Sequence, residues 1–301
     1  MATNIPPLDE NLWHVGGEGL QFLASQTGIS DADELKKHVL AIQAKAYQVG
    51  ADAMVSILNF ISCRLRMAGL PAYSQIKTLL HERPEAILLD LGCCFGTDIR
   101  KMAADGFPVQ NLVACDLYRE FWDLGHELFR STPETFPVAF LAGDVLDRGF
   151  LARAEPQPTA TSTAPSPPLS TIRSLIDLSG HISILHTSYL FHMFDEQEQT
   201  DLVRSIAGLL SPLPGSMIFG SQVGSKTTSY RPRPPRYTGD RAPIFAPSPE
   251  SWTAIWEDIF PKGAVHIEAT LREREDCHPW ELLAPVPGLD DGVLTWSITR
   301  L

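Results

Sequence analysis

Three acidic residues each close a short apolar run: Asp90, Asp116 and Asp144. The first opens DLGCCFG, where Gly92 and Gly96 mark a turn. A strand that enters a glycine turn before a helix leaves a cleft at its carboxyl end. Glycine lets a ligand approach the backbone with no Cβ in the way. The nicotinamide fingerprint G-x-G-x-x-G, laid on Gly92, needs glycines where the chain has Cys94 and Thr97, which argues against a dinucleotide. No Gly-Lys-Ser/Thr follows to cradle a phosphate. Asp116, with Leu117 beside it, lies twenty residues past Gly96. From there a carboxylate accepts hydrogen bonds from both hydroxyls of a ribose. Asp144, in AGDVLD, can accept from an adenine amine while Val145 and Leu146 lie against the ring. Capping of a following helix is the alternative for this acid.

Asp90 would repel a phosphate-bearing ligand but not a cation. An adenosine without phosphates and with a positive part describes S-adenosylmethionine. Methyl transfer from its sulfonium is an in-line displacement, which requires an electron-rich atom about 3 Å from the methyl carbon and exclusion of water. A carboxylic acid is already ionised at neutral pH and needs no base, whereas a phenol, with a pKa of about 10, benefits from one. His14, His186 and His192 are the base candidates. His186, at the end of an apolar run, is the best placed, with a structural bond to backbone or cofactor as the alternative. His14 stands in a segment that either folds over the pocket or is a free arm. His192 lies in YLFHMF, more a core pattern than a substrate wall. Arg64 and Arg66 could clamp a carboxylate or simply place charge at a helix C-terminus. Tyr73, Tyr189 and Trp252 are the other candidate substrate contacts. Trp252 and Trp256, four apart, share a helix face that either walls an apolar substrate or packs on a sheet.

The elements that must position these residues read as follows. Ser30 followed by Asp33 suggests a cap, and apolar residues from Leu35 to Leu65 recur at helical spacing, with a break near Gly50, until Gly69 and Pro71 stop the pattern. From residue 86 strands alternate with helices: strands at 86–90, 112–116, 138–144, 181–187 and 216–223, helices at 97–105, 119–130, 195–210 and 251–260. This alternation predicts a parallel sheet covered on both faces. Strands at 265–271 and 293–300 have no helix signal between them, so the terminal pair is expected to be antiparallel. Residues 155–170, rich in Pro, Ser, Thr and Ala, read as a mobile surface insertion. Residues 226–241 carry Lys226, Arg231, Arg233, Arg236 and Arg241 against Asp240, either a solvated loop or an anion site.

The 301 residues carry a net charge of −12, which argues against a nucleic-acid partner. No apolar run is long enough to span a bilayer, and the first residues do not read as a secretory signal. Five cysteines without paired spacing fit reduced thiols in a cytoplasmic protein, and no metal site is expected.

The order D-x-G-x-x-x-G, then Asp116, then Gly143-Asp144 resembles class I S-adenosylmethionine-dependent methyltransferases, with Cys94 in place of the middle glycine of their loop. LDLGCCFGTDIRKM, DLYREFWDLGHELF, HTSYLFHMF, LLSPLPGSMIFGSQVG, CRLRMAGLPAYSQI and SPESWTAIWEDIF together resemble fungal secondary-metabolite methyltransferases, closest to those that methylate the carboxylate of farnesylated orsellinate meroterpenoids. The resemblance implies a Rossmann-like α/β fold with a seven-stranded sheet, mostly parallel with an antiparallel last strand. It implies an N-terminal helical cap over 1–75 and a core over 76–301. It implies S-adenosylmethionine held by Asp90, Gly92, Cys94 and Gly96 on the methionine side, Asp116 and Leu117 at the ribose, and Asp144 and Val145 at the adenine, with His186 near the methyl. The partner implied is a hydrophobic small molecule methylated on oxygen; monomer and homodimer stay open. The alternatives are N- or C-methylation, or a non-catalytic regulator.

Overall fold

The computed structural model describes residues 8–13, 15–49, 57, 60–158, 160, 165–232, 242–278 and 285–301. Its centre is a seven-stranded sheet in the order β3-β2-β1-β4-β5-β9-β8. The strands are β1 (Ile87–Leu91), β2 (Leu112–Asp116), β3 (Ala139–Ala142), β4 (Ile182–Ser188), β5 (Met217–Ser225), β8 (Val265–Glu273) and β9 (Asp291–Arg300). β1 to β5 pair in parallel, and β9 runs antiparallel between β5 and β8. The expected fold class is therefore the observed one. β6 (Ser229–Arg231) and β7 (Ile244–Ala246) form a separate antiparallel pair.

β1, β4 and β5 are buried along their whole length, as central strands covered on both faces must be, and they carry Asp90, His186, Ser188 and Ser221 among their apolar residues. Ile87, Leu89 and Leu91 join the core on one face of the sheet with Leu202, Ile206, Trp252 and Trp256. These come from α6 (Glu196–Ala207) and α7 (Pro249–Glu257). Leu88, Ile184 and Phe219 join the opposite core with Ile76 of α3 (Tyr73–Glu82) and Ile99 of α4 (Thr97–Ala104).

The N-terminal helices α1 (Gly17–Thr27) and α2 (Ala32–Ala46) bury their apolar faces on α5 (Arg119–Leu128) and on Phe95 in the β1–α4 loop. α2 starts one residue later than the Ser30 signal suggests: the Asp31 carboxylate accepts from the N–H groups of Asp33 and Glu34. It ends at Ala46, well short of Leu65, and residues 50–56 lie outside the described residues.

Two irregular stretches differ from expectation. Within 155–170 the Gln157 carbonyl accepts from Arg300 (2.7 Å) and the Ala160 N–H donates to the Pro212 carbonyl, so the described part is fastened to the sheet's end; residues 159 and 161–164 lie outside the description. In the basic stretch, Arg231 is not in a solvated loop. It is buried on β6 and shares Asp291 with Arg274. Arg233, Arg236 and Arg241 lie outside the described residues.

Candidate active site

A cavity of about 520 Å³ opens across the carboxyl ends of β1 to β4. The chain order of a parallel sheet reverses between β1 and β4, so the loops after them part and leave a crevice. The sheet order lays the lining residues out in sequence across it: Gly143, Asp144 and Val145 after β3, Asp116 and Leu117 at β2, Leu91 and Gly92 at β1, Ser188 and Tyr189 at β4. Leu190, Met193 and Phe194, then Asp195 and Glu198 at the start of α6, wall the far side, with Tyr118 and Phe121 from the start of α5.

The loop after β1 is tied to β2. The Gly92 and Cys93 N–H groups donate to the Cys115 carbonyl, and the Cys94 N–H donates to Asp116 Oδ2 (2.8 Å). Cys94 takes a φ of 51°, the left-handed region that glycine favours, so the loop keeps a glycine-like backbone although its middle residue has a side chain. Gly92 (φ 81°) lines the cavity, and a Cβ there would touch the Leu190 side chain. Gly96 (φ 70°) is not in the wall. A Cβ on it would come within 2.5 Å of the Trp122 ring, so it serves the packing of α4 against α5.

Asp116 is half-buried in the cavity. Burial raises its pKa; the N–H groups of Cys94, Tyr118 and Leu117 lower it, and Asp90 raises it, for a net upward shift. Each carboxylate oxygen has two lone pairs, so one accepted N–H apiece leaves each free to accept another donor. Beside it Leu117 is 49% exposed, an apolar side chain left open next to an acid. Asp144 is exposed and accepts from the Leu146 N–H (2.9 Å) in a turn of its own. Burial, then neighbouring acid charge, pushes the Cys93 and Cys115 thiols well above the ordinary value, and burial pushes Cys63 up to about 12, away from the thiolate that a nucleophile needs.

Asp90 and His186 depart from their expected places at the wall. They are register partners on β1 and β4, with exposures of 1% and 0%. His186 Nδ1 bonds Asp90 Oδ1 (2.7 Å) and its Nε2 bonds Ser188 Oγ (2.8 Å), so both ring nitrogens are engaged below the cavity floor. Ser188, two residues further on the same face of β4, does line the cavity, and Ser221 on β5 donates to its Oγ (3.2 Å). Arg66 also lines the cavity. It donates from Nη1 to the Ser188 carbonyl (3.2 Å) and pairs through Nε with buried Asp98 (3.5 Å). Asp98 in turn accepts from the Arg66 and Met67 N–H groups.

Of the expected substrate contacts, Tyr189 is in the wall, with a positive φ of 59°. Three others are not. Trp252 is fully buried against Phe191, Trp256 and Trp296, so the packing alternative holds. Tyr73 turns away to bond Asp105 beside Lys101. Arg64 is buried behind the wall. His192 is buried edge-on to Tyr189. His14 lies outside the described residues. Sequence reading missed Ser188, Tyr118, Phe121, Asp195 and Glu198, and it favoured core for YLFHMF, whose Leu190, Met193 and Phe194 line the cavity while Phe191 and His192 are buried. Position after a strand end or at a helix cap was the available signal for Ser188 and Asp195.

A family model for the meroterpenoid methyltransferase N-terminal domain matches residues 8–61. The chain is 29% identical over 238 residues to the O-methyltransferase phiE of a fungal species, covering 79% of this chain and 69% of that protein. It is 32% identical to the O-methyltransferase atr3 of Stereocaulon alpinum over 76% of this chain, and spans 58% of the length of that relative. The methyltransferase ausD of Aspergillus calidoustus is 26% identical, over 90% of this chain and 86% of its own. The solved DhpI–SAH complex aligns with 88% of this chain and 96% of its own, at 13% identity and a TM-score of 0.41. In its sheet order, its glycine turn tied to an acid at the end of β2, and its fungal sequence relatives, the chain is similar to the class I S-adenosylmethionine-dependent methyltransferases.

Proposed function

We propose that the chain methylates an oxygen of a hydrophobic small molecule, a carboxylate oxygen foremost, in fungal secondary metabolism. The observation that carries this reading is the layout of the cavity. An acid stands at β2, a glycine turn at β1, and one cation, Arg66, beside the end of β4 among the described lining residues. The wall chemistry fits the cofactor. Asp116 has acceptor capacity left for the two ribose hydroxyls, and Leu117 and Val145 offer apolar surface for a purine. Gly92 leaves the methionine path clear of a Cβ beside Leu190. A volume of about 520 Å³ lies within the range of small-molecule sites.

When bound, the cofactor supplies an activated methyl on a sulfonium. The residues of the chain do the rest. Tyr118, Phe121, Tyr189, Leu190, Met193 and Phe194 give an apolar wall that displaces water from the reacting atoms. Arg66 can orient an acceptor carboxylate. Its commitment to Asp98 and the Ser188 carbonyl tempers its hold, so the nucleophile is not quenched. The fungal O-methyltransferases among the relatives support transfer to oxygen in secondary metabolism.

Calorimetric titration with S-adenosylhomocysteine, with NAD as control, tests the cofactor. Micromolar, near-stoichiometric binding of the first and none of the second is expected. Turnover of apolar aromatic and terpenoid acids, with the methylated atom located by NMR, tests the acceptor. Methylation confined to nitrogen or carbon would overturn the oxygen reading, and cofactor binding without turnover would favour a regulator.

A further inference from the structure

A carboxylate acceptor arrives ionised and has no proton to lose, yet the end of β4 holds a complete chain of proton-carrying groups. Asp90, His186, Ser188 and Ser221 are linked across three adjacent strands by contacts of 2.7, 2.8 and 3.2 Å. The sheet register sets them: Asp90 faces His186 and Ser188 faces Ser221, all on one side of β1, β4 and β5. The arrangement of carboxylate, imidazole and hydroxyl is that of a hydroxyl wired to a base.

Counting donors and acceptors fixes its polarity. With Asp90 as a carboxylate that can only accept and His186 as a neutral ring, Nδ1 carries the hydrogen and Nε2 is bare. Nε2 then accepts from the Ser188 hydroxyl. The Ser188 oxygen accepts one hydrogen from Ser221 and keeps one lone pair. Ser188 is also the one member of this chain that lines the cavity, on the side where the acceptor is placed by the reading above. Asp98 and Arg66 flank the group from α4 and from the segment before α3, and Phe219 packs on the imidazole.

We propose that this cavity also methylates hydroxyl acceptors, phenols above all, with Ser188 taking the proton and His186 receiving it through Ser188. The acceptor hydroxyl gives its proton to Ser188 Oγ as Ser188 passes its own to His186 Nε2. The oxygen's electron pair forms the new O–C bond to the methyl, and the C–S pair stays on the departing thioether. The positive charge lost at the sulfonium reappears on the imidazolium, against Asp90, until the proton returns to solvent. Ser188 is the catalytic residue in this scheme, and His186 is a positioning residue that acts through it. The placement of the acceptor rests on the methyltransferase reading.

The test uses the full chain saturated with S-adenosylhomocysteine for NMR and with S-adenosylmethionine for turnover. Two isomeric probes differ only in the oxygen offered: ethyl para-hydroxybenzoate presents a phenol, para-ethoxybenzoic acid a carboxylate. Both are expected to be methylated. Ser188→Ala and His186→Gln should each slow the phenol about 100-fold more than they slow the acid. Nitrogen-15 NMR should find His186 with hydrogen on Nδ1 and none on Nε2. Equal losses on both probes would mark the chain as structural and overturn the proposal. So would methylation of the acid alone, or a hydrogen resident on Nε2, which leaves the ring unable to receive. If cofactor binds and neither probe turns over, the oxygen-acceptor reading falls, and the tautomer by itself decides whether the hydroxyl is wired to a base.

Discussion

Cys94 holds a left-handed backbone conformation that costs an L-residue about 1–2 kcal/mol. Replacing it with glycine removes that strain and returns about 0.4–1 kcal/mol of chain entropy to the unfolded state. Cys94→Gly is therefore expected to keep cofactor affinity and to be neutral or slightly stabilising in urea unfolding. Asp116→Ala should weaken S-adenosylhomocysteine binding by about 1–3 kcal/mol, through lost ribose contacts and the stranded Cys94 N–H. The raised pKa of Asp116 gives this a pH signature. A protonated carboxyl accepts less, so affinity should fall as the pH is lowered through the raised folded value, and calorimetry on Asp116→Asn should show that slope flattened. For stability the sign is opposite. A raised carboxyl pKa favours the fold most below the unfolded value of about 4, and that contribution is gone once the pH has risen through the folded value. Ligand-free Asp116→Asn should thus be at least as stable as the parent at pH 7. At this scale the acids and glycines were legible because each lies at a strand end, a local signal. The partnership of Asp90 with His186 was not, since it is made by register between strands ninety-six residues apart.

Gly125 carries an element-level constraint with no motif around it. A Cβ there would lie 2.3 Å from the Phe95 carbonyl oxygen, and backbone cannot step aside. Gly125→Ala should lift α5 from the β1–α4 loop, costing about 2 kcal/mol of stability and loosening the cofactor site with it. Trp252→Ala, by contrast, should cost about 3–5 kcal/mol through a core cavity and leave cofactor affinity per folded molecule unchanged; a selective loss of affinity would return Trp252 to the site. The strands and helices of the alternating region were readable to within a few residues, because their faces are set by period alone. α1 escaped reading because Gly17 and Gly19 weaken its start. α3 escaped because Gly69 and Pro71 read as a stop when they precede a fresh start. β6 and β7 are three residues each, too short to show a period.

Across the whole molecule, Asp291 at the start of β9 ties together Arg231 of β6 and Arg274 after β8. Asp291→Ala deprives both guanidiniums of a shared buried acid and should lower unfolding stability by about 3 kcal/mol. Asp291→Asn, which keeps an acceptor, should lose less. The parallel arrangement and its antiparallel end were legible from element order, but the insertion of β9 between β5 and β8 was not, because nothing local marks where a late strand docks. That insertion also governs how the protein comes into being. Until β9 has left the ribosome, the facing edges of β5 and β8 have no strand to pair with. The sheet closes only when β9 emerges and satisfies both at once, so a nascent chain stalled before Asp291 is the species that chaperones must shield.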